Sequence, residues 1–181
     1  YNYNLGPFLA DKRSVQQGYA VEEPISIEKQ AGFKPLTFVL ADHGYSTYST
    51  TIEARVETVL KRPDLVQRFV DASIIGWVNY LYGDRRQADA LIRRDNPEMD
   101  QTTIAQSVQL MKDLGVVDSG DSLTLGIGAM KPERVKDFYA KMARAGLYKP
   151  GEVDLAKVMT TQFVNQGVGL ALKQQLTGAK Q

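Results

Sequence analysis

The chain has 181 residues, of which 43% are hydrophobic and 24% are charged. This composition suits one globular domain or two small lobes, and it excludes a disordered tail, a collagen-like repeat and a low-complexity linker. The 22 basic and 21 acidic side chains leave a formal net charge of +1. Because proteins that bind nucleic acid through its phosphates carry a basic surplus, we expect no nucleic-acid partner.

The first part of the chain carries β-rich and helical patterns in alternation. The predicted elements are a short helix over 11–17, a strand over 19–21, a helix over 25–31 and a strand over 36–40. Gly18 and Gly32 end the two helices, and Pro24 suits a first helical position. A strand–helix–strand order predicts a βαβ unit and a parallel sheet. The polar, aromatic segment 42–52 that follows predicts a binding loop that runs into an extended segment.

From Pro63 onward the apolar residues recur at three- and four-residue steps, which predicts helices. The longest helix has a predicted inner stripe of Val66, Val70, Ile74, Trp77 and Leu81, and it ends at Gly83. The later predictions are a helix over 84–94, a helix capped by Asp100 with Ile104, Val108, Met111 and Leu114 inward, a helix from Pro132 to Gly146, and a partly helical segment over 155–176.

The absence of cysteine excludes disulfides, thiolate zinc sites, iron–sulfur clusters and a cysteine nucleophile. It also fits an exported protein, because an unpaired thiol is a liability in an oxidising compartment. The single histidine, His43, cannot form a histidine metal pair within one chain, and no nucleophile-elbow motif is present. We therefore expect no metal, no cofactor and no catalytic residue, and we place His43 in a loop as a ligand contact.

Two properties concern membranes and export. The longest apolar runs, Phe38–Ala41 and Val168–Leu172, fall far short of the roughly 18 residues that span a bilayer. The chain starts at Tyr1 rather than Met and shows no signal peptide. This predicts a processed chain or a piece of a larger protein, with any export signal outside it.

Glu22 and Glu23 precede Pro24, between a predicted strand end and a helix start. Folds of the α/β class place ligands at such junctions, where a carboxylate accepts hydrogen bonds from an amine-like or amidine-like group. The alternative is a carboxylate that only stabilises the positive end of the helix dipole. The sequence leaves both roles open.

An ordered set of short segments runs along nearly the whole chain. It comprises Gln16–Tyr19, Glu23-Pro24, Ala41–Tyr45, Pro63–Ala72, Asp95–Met99, Val117–Asp121, Gly126–Met130 and Gln162–Asn165. Together they resemble the ABC-transporter substrate-binding proteins of the nitrate, sulfonate and thiamine-pyrimidine-precursor group. The resemblance implies an α/β fold of the periplasmic-binding-protein type II, with two lobes, of which this chain is the C-terminal half.

The resemblance also implies a division of the chain. Residues 1–44 would end the second lobe as a βαβ fragment, and residues 45–181 would supply a hinge strand and the helical remainder of the first lobe. A separate N-terminal half, or a second copy, would then be expected as a partner.

The function implied by the resemblance is capture of a small solute between the lobes and its delivery to an ABC permease, in the periplasm or at the cell surface. No covalent chemistry is needed, so an enzyme is not expected. The ligand residues carried over are Glu23, Tyr19, Tyr45 and Tyr48, together with His43. An acceptor carboxylate with aromatic faces suits a flat, amine-bearing heterocycle such as a thiamine-precursor-like aminopyrimidine.

Two alternatives belong to other functional classes. The amphipathic stripes after residue 50 fit a helical module in which residues 50–181 bind a protein partner. A pyrimidine-synthase-like enzyme is the weaker alternative, because the fungal synthases that share this type of fold carry a cysteine-rich motif and this chain has no cysteine.

Overall fold

A computed structural model describes residues 4–178. Residues 1–3 of the predicted segment 1–44 and residues 179–181 of the predicted segment 45–181 lie outside the described residues. The described part is helical, with 55% helix and no β-strand. The predicted α/β fold of the type II binding-protein class is therefore wrong. The runs 19–21 and 36–40 are apolar enough for strands, but a strand also needs a second strand to pair its backbone, and residues 4–178 provide none.

Ten α-helices follow one another in the described residues. They are α1 (Gly6–Ala10), α2 (Glu23–Ala31), α3 (Val56–Lys61), α4 (Pro63–Tyr82), α5 (Arg86–Asp95), α6 (Gln101–Asp113), α7 (Ser122–Leu125), α8 (Pro132–Arg144), α9 (Leu155–Val158) and α10 (Leu170–Thr177), with a 3-10 turn over Leu40–His43 before α3. The predictions for α2, α4, α5, α6 and α8 are confirmed. The predicted helix over 11–17 is wrong, and the predicted hinge strand after residue 44 is an irregular segment.

Local signals explain where the confirmed helices begin and end. Pro63 occupies the first turn of α4, where its missing N–H costs no helical hydrogen bond. Asp100 caps α6, since its carboxylate accepts a hydrogen bond from the Thr103 backbone N–H at 2.8 Å. Gly32 follows α2 with φ of 73°, a left-handed conformation that glycine adopts at low cost.

The chain divides into two compact units. The first contains the chain up to Val39 together with Arg86–Val116. Within it α6 packs against α2 and α5, and the buried apolar side chains include Ile25, Ile27 and Ile104.

The second unit contains Leu40–Arg85 and the chain from Val117 onward. Here α4 is the central helix, and it packs against α10 and α3, while α10 also contacts α7. Four apolar side chains of α4 are buried, namely Val70, Ile74, Val78 and Leu81. We call these four residues the inner face of α4.

Candidate interaction surface

The predicted ligand residue Glu23 is the first residue of α2, and only 7% of it is exposed. Its carboxylate accepts a hydrogen bond from the Tyr19 backbone N–H at 2.5 Å. Gly18 allows this close approach, because a Cβ at that position would lie 2.9 Å from the Glu23 side chain. The buried carboxylate therefore closes the loop before α2. Partial burial and the charge of Glu23 raise the pKa of Glu22.

The other predicted ligand residues lie in the second unit. The Tyr45 ring meets the edge of Phe138, with centroids 5.9 Å apart, and the Tyr48 ring lies 4.4 Å from the guanidinium of Arg134. Arg134 also donates a hydrogen bond to the Thr47 carbonyl at 3.1 Å. These contacts fasten the segment after Gly44 to α8. His43 ends the 3-10 turn and is exposed. A ligand role for these residues stays a prediction.

An open groove of about 390 Å³ lies between α8 and the segment that contains α9. Its volume falls in the range of small-molecule sites. The lining is mainly apolar, with Val135, Leu155 and Met159 among its residues and Lys136 as its charged group. It therefore lacks the carboxylate and the aromatic rings that an aminopyrimidine would require.

One exposed apolar surface of the second unit is the side of α4 that faces away from its core. Positions 65, 69, 72 and 76 are three or four residues apart and share one side of the helix, about half a turn away from the inner face. They are Leu65, Phe69, Ala72 and Gly76, and all four are exposed. We call them the outer face of α4. Helices at a protein surface are usually polar on this side, and a helix that is apolar on both sides is usually buried.

The exposure of the outer face is large at its bulky end. Phe69 is 60% exposed and Leu65 is 38% exposed. The small end is open, because a Cβ added to Gly76 would meet no atom within 4 Å. Trp77 flanks this end, with its ring edge-on to Tyr80 at 6.0 Å. Over the distance from Leu65 to Gly76, about 16 Å along the axis, the face therefore changes from bulky to small.

A close backbone contact fixes which side of α4 faces the core. Gly169, with φ of 83°, precedes α10. A Cβ at this glycine would lie 3.0 Å from the Val78 Cγ2 and 3.3 Å from the Ile74 Cγ2. The chain before α10 therefore lies directly on the inner face of α4, and the outer face is left to solvent.

A polar cluster around Asp118 holds the C-terminal end of α4 in the same orientation. The Asp118 side chain is 3% exposed, and it accepts hydrogen bonds from the Tyr82 hydroxyl at 2.6 Å and from the Ser122 hydroxyl at 2.8 Å. The Lys173 ammonium lies 2.6 Å from the same carboxylate. We call these four residues the Asp118 cluster. It joins α4, α7 and α10, and charged hydrogen bonds of this kind are stronger than neutral ones.

The cluster also shifts two pKa values. Burial alone would raise the pKa of Asp118, but the hydrogen bonds from Lys173, Tyr82 and Ser122 outweigh it, so that pKa is lowered. Burial and the hydrogen bond to Asp118 raise the pKa of Tyr82 to about 12. At neutral pH the carboxylate is therefore charged and the phenol is neutral, which is the combination that the geometry requires.

Comparisons with known proteins assign no family to the chain. The chain matches no family model, no curated protein and no solved structure. No helix within residues 4–178 has both the length and the apolar character needed to cross a bilayer.

Sequence reasoning missed the outer face. The predicted inner stripe ran through Val66 and Trp77, whereas the structure buries Val78 and leaves Trp77 38% exposed. A second apolar stripe through Leu65 and Phe69 is visible in the same segment of the sequence. A search for two stripes, rather than one, would have found it.

Proposed function

We propose that the chain is a helical protein-interaction module, and that the outer face of α4 binds an apolar helix of a protein partner. The observation that carries the proposal is that α4 is apolar on both sides, although only its inner face is buried. The predicted module over residues 50–181 contains this helix.

The binding free energy gained when a partner covers the outer face can be compared with the free energy of burying a single apolar side chain. The exposed fractions of Phe69 and Leu65, 60% and 38%, together amount to about one fully exposed apolar side chain. Burying one such side chain contributes about 1.5–3 kcal/mol, which corresponds to a tenfold to hundredfold effect on affinity. A partner helix that covers both residues gains this amount, and a partner that covers neither does not.

The shape of the face favours a helix over a loop as the partner. Ala72 and Gly76 carry almost no side-chain bulk, and both are exposed. A helix that crosses at this point comes close to the α4 backbone, while Phe69 and Leu65 fill the space between its side chains. A helix lying in an apolar surface is also a recurrent mode of protein recognition.

Solute capture, an ABC permease partner and a periplasmic or cell-surface location stay predictions from the resemblance. The predicted α/β lobe that would line a solute cleft is absent from residues 4–178. The interaction module needs no such lobe, and we therefore prefer it.

Site-specific photo-crosslinking tests the proposal. We expect p-benzoylphenylalanine in place of Phe69 to crosslink the full chain, in cells that produce it, to a discrete protein. The same group in place of Glu133, an exposed residue at the start of α8, serves as the control position.

The specificity of that crosslink is tested on the same face. A Gly76→Glu substitution places a charged side chain where the structure has open space, so it spares the fold and blocks the partner. The proposal requires the crosslink from position 69 to disappear in this background. A crosslink that is unchanged by Gly76→Glu, or that forms equally from position 133, would contradict it.

A further inference from the structure

We propose that the helix bound by the outer face of α4 is α4 of a second copy of this chain, packed antiparallel about a twofold axis. The inference rests on the interaction function proposed above and names its partner. The observation that carries it is the order of side-chain sizes along the outer face.

That order is self-complementary. From the N-terminal end the face presents two bulky residues, Leu65 and Phe69, and then two small ones, Ala72 and Gly76. In an antiparallel pair of helices, the contact residues of each helix are spaced alternately by four and three residues, and each layer of the contact contains one residue from each helix. Because the two chains run in opposite directions, the two residue numbers add up to the same total in every layer. One register therefore places Leu65 opposite Gly76 of the second copy and Phe69 opposite Ala72 of the second copy.

Every layer of this register combines one bulky side chain with one small one, which is how facing positions interdigitate without voids. A parallel pair would instead place Phe69 against Phe69 and Gly76 against Gly76. It would be overfilled at one end and empty at the other. The sizes thus select the antiparallel arrangement, and closed symmetry of this kind is the commonest form of association between identical chains.

The structure has room for the bulky partners. A Cβ built on Gly76 meets no atom within 4 Å, so the Leu65 side chain of the second copy can occupy that space. Ala72 is exposed beside it. The space beside these two small residues is therefore open to a bulky side chain.

The charges along the same length do not oppose association. Between positions 65 and 76 the charged residues are Arg68 and Asp71. Arg68 forms an ion pair with Asp64 of its own helix at 3.2 Å, and Asp71 accepts a hydrogen bond from Gln67 at 2.7 Å. Pairing two copies therefore brings no unsatisfied like charges together, which is the condition under which a mainly apolar contact can close.

The size of the contact sets the expected affinity. Twelve residues of helix extend about 18 Å, and two helices touch over a width of about 10 Å. The contact is smaller than the roughly 800 Å² per partner of a standard interface. We therefore expect a weak dimer, with half-dissociation in the micromolar range or above.

Sedimentation equilibrium on the full chain gives the first readout. We expect the mass to rise with concentration from 20.1 kDa toward twice that value. Gly76→Ala keeps the face small and should change the dissociation constant less than threefold, whereas Gly76→Glu should weaken association at least tenfold. Circular dichroism confirms that both variants fold. A monomer up to millimolar concentration would overturn the inference.

Disulfide trapping gives the second readout, and it tests the direction of pairing. The chain has no cysteine, so single-cysteine variants have no background. Under mild oxidation, a mixture of Leu65→Cys and Gly76→Cys should form a mixed disulfide. Leu65→Cys alone should not, because its two sulfurs would be about 16 Å apart along the axis, beyond the reach of a disulfide. Faster linkage of Leu65→Cys with itself would overturn the antiparallel arrangement.

The two proposals fail in different ways. If the chain stays monomeric while the crosslink from position 69 is specific and has the mass of another protein, the second copy is the wrong partner and the interaction function stands. If no specific crosslink forms from position 69 and the chain is monomeric, the interaction function itself is wrong.

Discussion

Replacing Gly169 by alanine is expected to destabilise the second unit by about 2–5 kcal/mol. Two costs add. An alanine at φ of 83° sits in the left-handed region, which costs about 1–2 kcal/mol. Its Cβ would also lie 3.0 Å from the Val78 side chain and 3.3 Å from the Ile74 side chain, and overpacking of a core costs about 1–3 kcal/mol.

Gly146→Ala is the matched control. Gly146 follows α8 with φ of 79°, and a Cβ there would meet no atom within 4 Å. The Gly146→Ala variant therefore has the unfavourable backbone conformation without a steric clash, and we expect its free energy of unfolding to fall by about 1–2 kcal/mol. The difference between the two variants isolates the contact between Gly169 and α4.

Urea unfolding followed by tryptophan fluorescence measures both variants. Trp77 is the single tryptophan, and it lies on α4, so the signal reports on the second unit. The free energy of unfolding comes from linear extrapolation at one fixed protein concentration, because association would add to it. Equal losses in Gly169→Ala and Gly146→Ala would refute the packing of Gly169 on the inner face, and with it the orientation assigned to α4.

Two further predictions concern the second unit. Tyr82 should ionise near pH 12 in a spectrophotometric titration, and Asp118→Asn should lower the pKa of Tyr82 toward 10. Because folding raises the pKa of Tyr82, the stabilisation that this group contributes is present below pH 10. It is lost as the pH rises through 12. A Tyr82 that ionises near pH 10 in the folded wild-type chain would contradict the buried hydrogen bond to Asp118. The Asn165 side chain accepts a hydrogen bond from the Met130 N–H at 3.0 Å and donates one to the Met130 carbonyl at 2.8 Å. Asn165→Ala removes both and leaves alanine at φ of 65°. We expect the free energy of unfolding to fall by about 2–3 kcal/mol. An unchanged urea midpoint would show that the two bonds contribute nothing.

The helices that the sequence predicts well are those whose ends are determined locally. Pro63 and Gly83 bracket α4, and Asp100 supplies the cap of α6, so neither boundary depends on the rest of the chain. α3 and α7 escaped prediction because they are only six and four residues long, too short to show a helical repeat of apolar residues.

The predicted strands failed for the opposite reason. The run 36–40 has high β-propensity, but whether it forms a strand depends on a pairing partner elsewhere in the chain, which no local pattern contains. Leu36 and Phe38 are 83% and 65% exposed, and both lie in an irregular segment. The helical periodicity of α4 located its core side within one residue, yet it could not indicate which of two apolar sides the rest of the chain covers.

The Asp118 cluster has a consequence for the path of the chain. Tyr82 lies near the point where the backbone leaves the second unit, and Asp118 lies just after the point where it returns. Their side chains are joined by a hydrogen bond of 2.6 Å, so the exit and the return are fastened to each other inside the second unit. Residues 86–116, which form the first unit together with the chain up to Val39, therefore leave and re-enter the second unit at a point that this hydrogen bond closes. Since closing a longer loop adds little entropic cost, the core of the second unit places only a weak constraint on the length of the segment between these two points.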